Sequence, residues 1–214
     1  MELPAYIAVG LMGYFAGSLP TGYLVARAKG VDIRQSGSGN IGATNVFRVL
    51  GKPAGVLVLV VDGLKGYAAC AWGTDALVRW LGLAAGPAEL CPVIAGVAAV
   101  LGHNFTCWLR FKGGKGIATS AGVYFALAPL AAGLAVATWV TALLLTRYVS
   151  VASVLAATAL PLAVWLTPNN LALRLVTTAL GALAIWKHRS NLQRLWKGTE
   201  HRFGRKPPAP EVAP

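Results

Sequence analysis

Three short polar segments contain most of the residues in this chain that could bind a charged ligand. The first spans residues 36–48, where small, hydroxyl and amide side chains alternate, so backbone N–H groups could approach a phosphate closely. Arg48, at its end, could make a bidentate contact to the same anion. We therefore predict anion binding here rather than a flexible linker. The candidate ligands are Ser36, Ser38, Gly39, Asn40, Thr44, Asn45 and Arg48.

The second polar segment runs from His103 to residue 116, where three glycines and two lysines precede an apolar run. The N-terminal amides of the helix that follows would favour a phosphate, and a lysine would add charge. The pattern GxxxxGK[ST] is absent, so no nucleotide is implied. The alternative is a lysine anchor at the membrane surface, and His103 could be a base or a helix cap. The candidate ligands are His103, Lys112, Gly113, Gly114, Lys115 and Gly116.

The third polar segment covers residues 187–200. His188 and Asn191 are i,i+3 neighbours and Arg194 lies one turn further, so one helix face would present an imidazole, an amide and a guanidinium. A histidine that titrates near neutral pH could accept a proton or donate to a ligand. The alternative is an ordinary charged helix that ends the last membrane span. The candidates are Lys187, His188, Arg189, Asn191, Arg194 and Glu200.

The composition indicates the surroundings in which these segments work. Hydrophobic residues make up 56% of the 214 residues and charged residues only 12%, too few to cover the surface of a soluble protein of this size. This excludes a disordered chain, a coiled coil and an ordinary cytosolic enzyme, and predicts an all-α integral membrane protein. The net charge of +12 fits loops on the cytoplasmic side, and also a binding site for an anionic, phosphorylated ligand.

The apolar runs predict the membrane spans. About 20 apolar residues cross the hydrocarbon layer, and residues 4–25, 54–73, 88–108, 149–167 and 170–187 meet that length. Residues 117–146 are too long for one span. Pro129 should break a helix there, which gives a short helix at 117–127 and a full one at 129–146. The sequence therefore predicts seven transmembrane helices, of which the first is retained because no basic leader precedes it.

Seven spans place the long basic segments on one side of the membrane. All basic residues except Arg79, Arg174 and Lys65 then lie on that side. By the positive-inside rule it is the cytoplasm, so the N-terminus should be outside and the C-terminus cytoplasmic. We predict one membrane domain over residues 1–204 and a Pro-rich, disordered tail over 205–214.

Several residues within the spans are interpreted as structural. Asp62 and Lys65 are i,i+3 neighbours deep in apolar sequence, where ionisable groups usually pair toward the bundle interior. The sequence at residues 17–20 contains Pro20 and predicts a kink in the first span. The three cysteines have no metal-ligand or disulfide spacing, and no Asp/Glu cluster suggests a divalent ion. No metal and no cofactor are therefore predicted.

These segments resemble the bacterial acyl-phosphate:glycerol-3-phosphate acyltransferase family. The resemblance includes SGSGNIGATNVFR, GH followed by FKGGKGIAT, and KHRSNLQRLWKGTE in that order, with SLP and DGLKG at residues 18–20 and 62–66, and it extends to about residue 204. It implies transfer of a fatty acyl group from acyl phosphate to the 1-hydroxyl of glycerol 3-phosphate. The products would be lysophosphatidic acid and inorganic phosphate, made at the cytoplasmic side of the bacterial inner membrane.

The resemblance also implies residue roles. Ser38, Arg48, His188 and Asn191 would bind or align the phosphates and the glycerol, and Glu200 would hold the geometry of the site. Residues 112–116 would form the glycerol-3-phosphate loop. Whether His103, His188 or the substrate's own phosphate removes the hydroxyl proton stays open.

Other classes of membrane protein are less compatible with the sequence. A transporter of an organic phosphate would show internal repeats and broken helices at mid-depth, whereas here the polar motifs cluster at one side. Another membrane lipid-phosphate transferase is a further alternative. Nucleic acid is a poor partner for basic residues that are spread between apolar spans. The expected partners are acyl phosphate, glycerol 3-phosphate and the lipid bilayer, while the oligomeric state, monomer included, stays open.

Overall fold

The computed structural model describes residues 2–82 and 90–204, and the regular structure of these residues is entirely helical. The described α-helices are α1 (Glu2–Ser18), α2 (Thr21–Ala28), α3 (Ala43–Leu50), α4 (Lys52–Ala68), α5 (Thr74–Leu81), α6 (Cys91–Asn104), α7 (Ile117–Leu127), α8 (Pro129–Thr146), α9 (Val149–Leu166), α10 (Leu171–Lys187) and α11 (Arg189–Trp196). The predicted tail at 205–214 and the first two residues of the predicted 88–108 span lie outside the described residues.

Pro20 and Pro129 interrupt helices at the positions that the sequence predicts. Pro20 is the N-cap of α2, so α1 ends at Ser18 and the chain resumes as a helix at Thr21. Pro129 is the first residue of α8, and Ala128 before it is non-helical with φ −149° and ψ 71°. The split of residues 117–146 into a short and a full helix is therefore confirmed, since proline cannot supply the amide that an uninterrupted helix needs.

Among residues 2–82 and 90–204, five helical stretches are long and apolar enough to cross a membrane: Leu3–Ala28, Lys52–Leu81, Cys91–Leu109, Pro129–Thr146 and Val149–Leu166. The second is longer than the predicted 54–73 because a π-helical turn at Ala69–Gly73 joins α4 to α5 without a break. Helix α7 is apolar but has only 11 residues, and α10 has 17.

Small residues bring the central helices together. A side chain at Gly66 would collide with the backbone carbonyl of Thr119, and one at Gly122 would collide with that of Gly63. These contacts join α4 to α7, as small residues commonly do between membrane helices. They also place the first turn of α7 beside the last turn of α4, which is the middle of the continuous Lys52–Leu81 stretch, so the short helix α7 begins inside the bundle rather than at its end.

Candidate active site

The three polar segments meet at one cavity of about 1160 Å³. The expected convergence of stretches that are distant along the chain is therefore present in the structure. Twelve of the predicted site residues line the cavity: Ser38, Asn40, Thr44, Asn45, Arg48, His103, Lys115, Gly116, His188, Asn191, Arg194 and Glu200.

The loop of the first segment is held from within by Asn45, which is buried. The side-chain oxygen of Asn45 accepts a hydrogen bond from the amide of Ser38 at 2.8 Å. Its side-chain nitrogen donates to the carbonyls of Ser36 at 3.0 Å and Asn40 at 2.8 Å. Asn40 in turn accepts from the amide of Gly42 at 2.9 Å. The amide side chains therefore shape the loop, while the hydroxyl of Ser38 and the guanidinium of Arg48 are exposed at the cavity.

Two helices begin at the cavity behind glycine N-caps. Gly42 precedes α3 and Gly116 precedes α7, and the first residues of both helices line the cavity. A glycine has no side chain that could cap the first amides of a helix, so these amides and the positive end of each helix dipole can act on a ligand. Gly116 has φ +81°, a conformation that favours glycine.

The rest of the glycine–lysine loop makes other contacts. The amide of Gly113 donates to the carbonyl of Asn104 at 3.2 Å, and the amide of Gly114 donates to that of His103 at 3.0 Å. The amides of both glycines therefore attach the loop to the end of α6, and the amides at the start of α7 are the ones left for a phosphate. Lys112 is exposed outside the cavity.

Lys115 is the cation of this loop that reaches the cavity. Its ammonium group donates a hydrogen bond to the side-chain oxygen of Asn191, which joins the second segment to the third. Burial lowers the pKa of Lys115 to about 8, an effect that Glu200 opposes and that the nearby cations Arg194 and Arg48 reinforce. Lys115 is therefore a charged donor near neutral pH and loses its charge only slightly above it.

A carboxylate organises the third segment. The side-chain nitrogen of Asn191 donates to Oε1 of Glu200 at 2.7 Å, and Nε of Arg194 donates to Oε2 at 2.7 Å. Burial alone would raise the pKa of Glu200, but these hydrogen bonds bring that pKa below its ordinary value. Glu200 is therefore ionised at neutral pH and fixes the orientation of both donors.

His188 has a defined tautomer. Its Nδ1 lies 2.8 Å from the carbonyl oxygen of Ala184, and a carbonyl can only accept, so Nδ1 carries the hydrogen and Nε2 carries the lone pair. Burial lowers the pKa of His188 to about 4, and the charge of Lys115 adds to this effect. The ring is therefore neutral at neutral pH and offers a hydrogen-bond acceptor.

Seven of the predicted residues do not line the cavity: Ser36, Gly39, Lys112, Gly113, Gly114, Lys187 and Arg189. Lys187 donates to the carbonyl of Asn104 at 2.9 Å, and its ammonium lies 4.4 Å from the centre of the Phe105 ring. Arg189 donates to the carbonyl of Trp186 and covers that ring. These two cations fix the end of α10 rather than facing the space between the three segments.

The predicted buried pair lies at the deep end of the cavity. Nζ of Lys65 is 2.8 Å from Oδ1 of Asp62, 2.9 Å from the carbonyl oxygen of Leu19 and 2.9 Å from Nδ1 of His103. The hydroxyl of Thr21 donates to the same carboxylate oxygen at 3.0 Å. Asp62 and His103 line the cavity, whereas Lys65 lies behind them and contacts both. Within residues 2–82 and 90–204, no three His, Cys, Asp or Glu side chains are grouped as metal ligands would be.

Comparison with known proteins identifies the family. A family model described as glycerol-3-phosphate acyltransferase matches residues 7–198. The chain belongs to this family. A glycerol-3-phosphate acyltransferase of Geotalea daltonii is 46% identical over 192 residues, which are 90% of this chain and 94% of that protein. One of a Synechococcus strain is 47% identical over 205 residues, 95% of this chain and 97% of that protein.

Solved structures of one member of the glycerol-3-phosphate acyltransferase family are similar throughout. The integral membrane protein PlsY in its glycerol 3-phosphate form has a TM-score of 0.83 and 40% sequence identity, covering 93% of this chain and 96% of PlsY. Its lysophosphatidic acid form has a TM-score of 0.80 and 39% identity, covering 93% and 95%. Together with the five apolar helical stretches, this similarity indicates a multi-pass membrane protein.

In this member of the acyltransferase family, the sequence predicted Glu200 but not residues 201–204 beyond it, which also line the cavity. Residues 198–204 follow α11 and line the cavity, as do Tyr148, Ser150 and Ser153 at the start of α9. The amide of Phe203 donates to the carbonyl of Arg147 at 2.7 Å, and its ring lies 5.2 Å from that of Phe47. The one signal in the sequence was the set of hydroxyl side chains in the first turns of an otherwise apolar helix.

Proposed function

We propose that this chain transfers a fatty acyl group from acyl phosphate to the 1-hydroxyl of glycerol 3-phosphate, giving lysophosphatidic acid and inorganic phosphate. The observation that carries the proposal is the single cavity in which cations from three separate segments converge. Its relative PlsY has been solved in a glycerol 3-phosphate form and in a lysophosphatidic acid form, which correspond to the acceptor and the product of this reaction.

The charges of the cavity suit two phosphorylated substrates. Arg48, Lys115 and Arg194 line it, and the carboxylate of Glu200 is already held by two donors. Each phosphate monoester carries nearly two negative charges at neutral pH. Such anions can enter an apolar bundle only where cations and helix N-termini replace water. We infer that Arg48 binds one phosphate through a bidentate contact. Lys115 and the N-terminus of α7 would bind the other phosphate.

Ser38, Asn191 and His188 are proposed to align the reacting groups. The hydroxyl of Ser38 can donate to a phosphate oxygen, and the lone pair on Nε2 of His188 can accept from a glycerol hydroxyl. Asn191 lies between the Lys115 ammonium and the Glu200 carboxylate and would keep that cation in place. Glu200 is therefore proposed as a positioning residue.

The reaction needs no covalent acyl-enzyme intermediate. The hydroxyl oxygen attacks the acyl carbonyl, an ester C–O bond forms, and the acyl–phosphate C–O bond breaks with its electron pair leaving on phosphate. We infer that a substrate phosphate takes the hydroxyl proton, because a phosphate with a pKa of about 6 is a stronger base than His188, whose burial lowers its pKa to about 4. The enzyme then acts by positioning and by electrostatic stabilisation.

We further propose that the chain forms one domain over residues 1–204 with seven membrane spans, an external N-terminus and a cytoplasmic C-terminus. Helices α7 and α10 would be the two shorter spans, and the cavity would then open to the cytoplasmic side of the bacterial inner membrane, where the long basic segments lie. Single cysteines at Ser36 and Ser190 in a cysteine-free background should react with an impermeant maleimide from the same side of sealed vesicles. Reaction from opposite sides would contradict this topology.

The activity is tested with purified protein, palmitoyl phosphate and radiolabelled glycerol 3-phosphate. Labelled lysophosphatidic acid should form together with one equivalent of inorganic phosphate. Uptake of the label into vesicles without any lysolipid would favour an organic-phosphate transporter. The absence of labelled lysolipid in every detergent and lipid mixture would exclude the proposed reaction.

A further inference from the structure

A buried lysine at the deep end of the cavity determines the state of a histidine. The ammonium of Lys65 has three acceptors around it: the carbonyl of Leu19 at 2.9 Å, Oδ1 of Asp62 at 2.8 Å and Nδ1 of His103 at 2.9 Å. An ammonium group has three N–H donors, so each acceptor receives one. Asp62 also accepts from the hydroxyl of Thr21 at 3.0 Å, which fixes the carboxylate.

This arrangement assigns the tautomer of His103. A ring nitrogen that accepts from an ammonium cannot carry a hydrogen, so Nδ1 is bare and Nε2 is the protonated nitrogen of the neutral ring. The negative charge of Asp62 favours the ammonium form of Lys65, without which Nδ1 could instead act as a donor. In His188 the carbonyl of Ala184 imposes the opposite tautomer. His103 and His188, which both line the cavity, therefore have opposite hydrogen-bonding roles.

We propose that His103 donates a hydrogen bond through Nε2 to an anionic oxygen of the phosphorylated substrates, and that Lys65 is the positioning residue that makes it a donor. This rests on the proposed acyl transfer, which supplies such oxygens. His103 lines the cavity and is buried, and Nε2 has no hydrogen-bond partner among the residues that the structure describes. A ring N–H at the cavity wall that no described residue accepts is free to donate to a substrate oxygen.

Gly114 supports this geometry from the other side. A side chain at this position would collide with Nε2 of His103. The glycine therefore lets the imidazole keep the orientation in which Nδ1 faces Lys65. In this role His103 cannot serve as the general base, because its lone pair is already occupied by Lys65.

The tautomer can be measured directly. The chain has three histidines, so ¹⁵N-histidine spectra of the full-length protein in detergent can be assigned from His103→Gln, His188→Gln and His201→Gln variants. We expect a protonated Nε2 and a bare Nδ1 for His103, and the reverse for His188. Addition of glycerol 3-phosphate or palmitoyl phosphate should shift the Nε2 signal of His103. A protonated Nδ1 at His103, or no shift with either ligand, would overturn the proposal.

Activity separates a donor from a base. His103→Ala should lower kcat/KM about 10- to 100-fold, the loss expected when a donor to a charged oxygen is removed. His103→Gln, whose amide N–H can replace Nε2–H, should recover much of that loss, whereas a base would not be rescued. An increase in KM for glycerol 3-phosphate would show that His103 donates to the phosphate of this substrate in the ground state. A decrease in kcat would show that it donates to the acyl oxygen in the transition state. Equal activity of the Ala and Gln variants would contradict the donor role.

The role of Lys65 needs a variant that does not leave a buried charge alone. Lys65→Met would leave the Asp62 carboxylate unpaired and destabilise the fold, so the double variant Asp62→Asn/Lys65→Met is compared with it. We expect His103 of the double variant to show a mixture of tautomers while the protein keeps its cooperative thermal transition. An unchanged single tautomer would contradict the positioning role. Because the spectra do not depend on turnover, an inactive wild-type protein with the expected tautomers would refute the proposed reaction and not the tautomer assignment.

Discussion

The pH dependence of activity should identify Lys115 as a substrate-binding cation. Burial lowers its pKa to about 8, so the ammonium form that binds phosphate is lost as the pH rises through this value. At pH 9 about one-tenth of the free enzyme would keep the charge, and about one-hundredth at pH 10, so kcat/KM for glycerol 3-phosphate should fall about tenfold per pH unit. Below pH 8 the charge of Lys115 is retained and this limb of the profile is flat.

The same reasoning predicts different profiles for kcat and kcat/KM. A bound phosphate stabilises the ammonium form, so the pKa of Lys115 is higher in the complex and kcat should stay level to a higher pH than kcat/KM. Initial rates of labelled lysophosphatidic acid formation, corrected for hydrolysis of palmitoyl phosphate without enzyme, measure both constants. Lys115→Arg keeps its charge at high pH and should lose the alkaline fall. If the fall occurs at the same pH in Lys115→Arg, another group is responsible and the assignment of Lys115 is refuted.

Three substitutions test the remaining parts of the cavity. Arg48→Ala should lower turnover more than about tenfold in a folded protein because a bidentate anion contact is lost. Arg34→Ala removes an exposed cation that pairs with Asp32 outside the cavity and should have little effect. Similar losses in both variants would indicate a general charge effect. Gly114→Ala should mainly raise KM for glycerol 3-phosphate, because the added methyl group would displace the imidazole ring of His103. An unchanged KM would show that this loop is not part of the glycerol-3-phosphate site. Glu200→Gln leaves one acceptor oxygen for two donors, Asn191 and Arg194, of which Arg194 is about one-third exposed. The value of kcat/KM should therefore fall about 5- to 30-fold, equivalent to about 1–2 kcal/mol. Full activity would show that the negative charge is dispensable.

The helix plan could be predicted because it depends on local physics. Pro129 removes an amide in the middle of an apolar run, and the break appears at that residue. The length of the Lys52–Leu81 stretch was not predictable, because the π-helical turn at Ala69–Gly73 carries the helix through weakly apolar sequence. The sequence therefore identifies a helix end at a proline more reliably than it identifies the end of a helix that contains no proline.

The residues that line the cavity could be predicted in part, and their detailed contacts less well. The types of side chain at Arg48, Lys115 and Glu200 indicate an anion site, and all three residues line the cavity. The sequence predicts Gly113 as part of a substrate-binding loop, but whether its amide donates to a ligand or to the carbonyl of Asn104 depends on how the loop folds against α6. Residues 201–204, beyond the third motif, lack any pattern of their own, and their place depends on long-range contacts such as that between the rings of Phe47 and Phe203.

The hydrogen bonds of Asn45 have a thermodynamic consequence for affinity. The glycine-rich 36–45 loop would sample many conformations in isolation, and ordering it on ligand binding would cost conformational entropy and weaken the affinity. One amide side chain, anchored to three backbone groups of the 36–45 loop, already imposes that order in the unliganded state. The acceptor therefore meets a preorganised cradle, and replacing this asparagine should weaken association through entropy although the residue itself need not touch the incoming molecule.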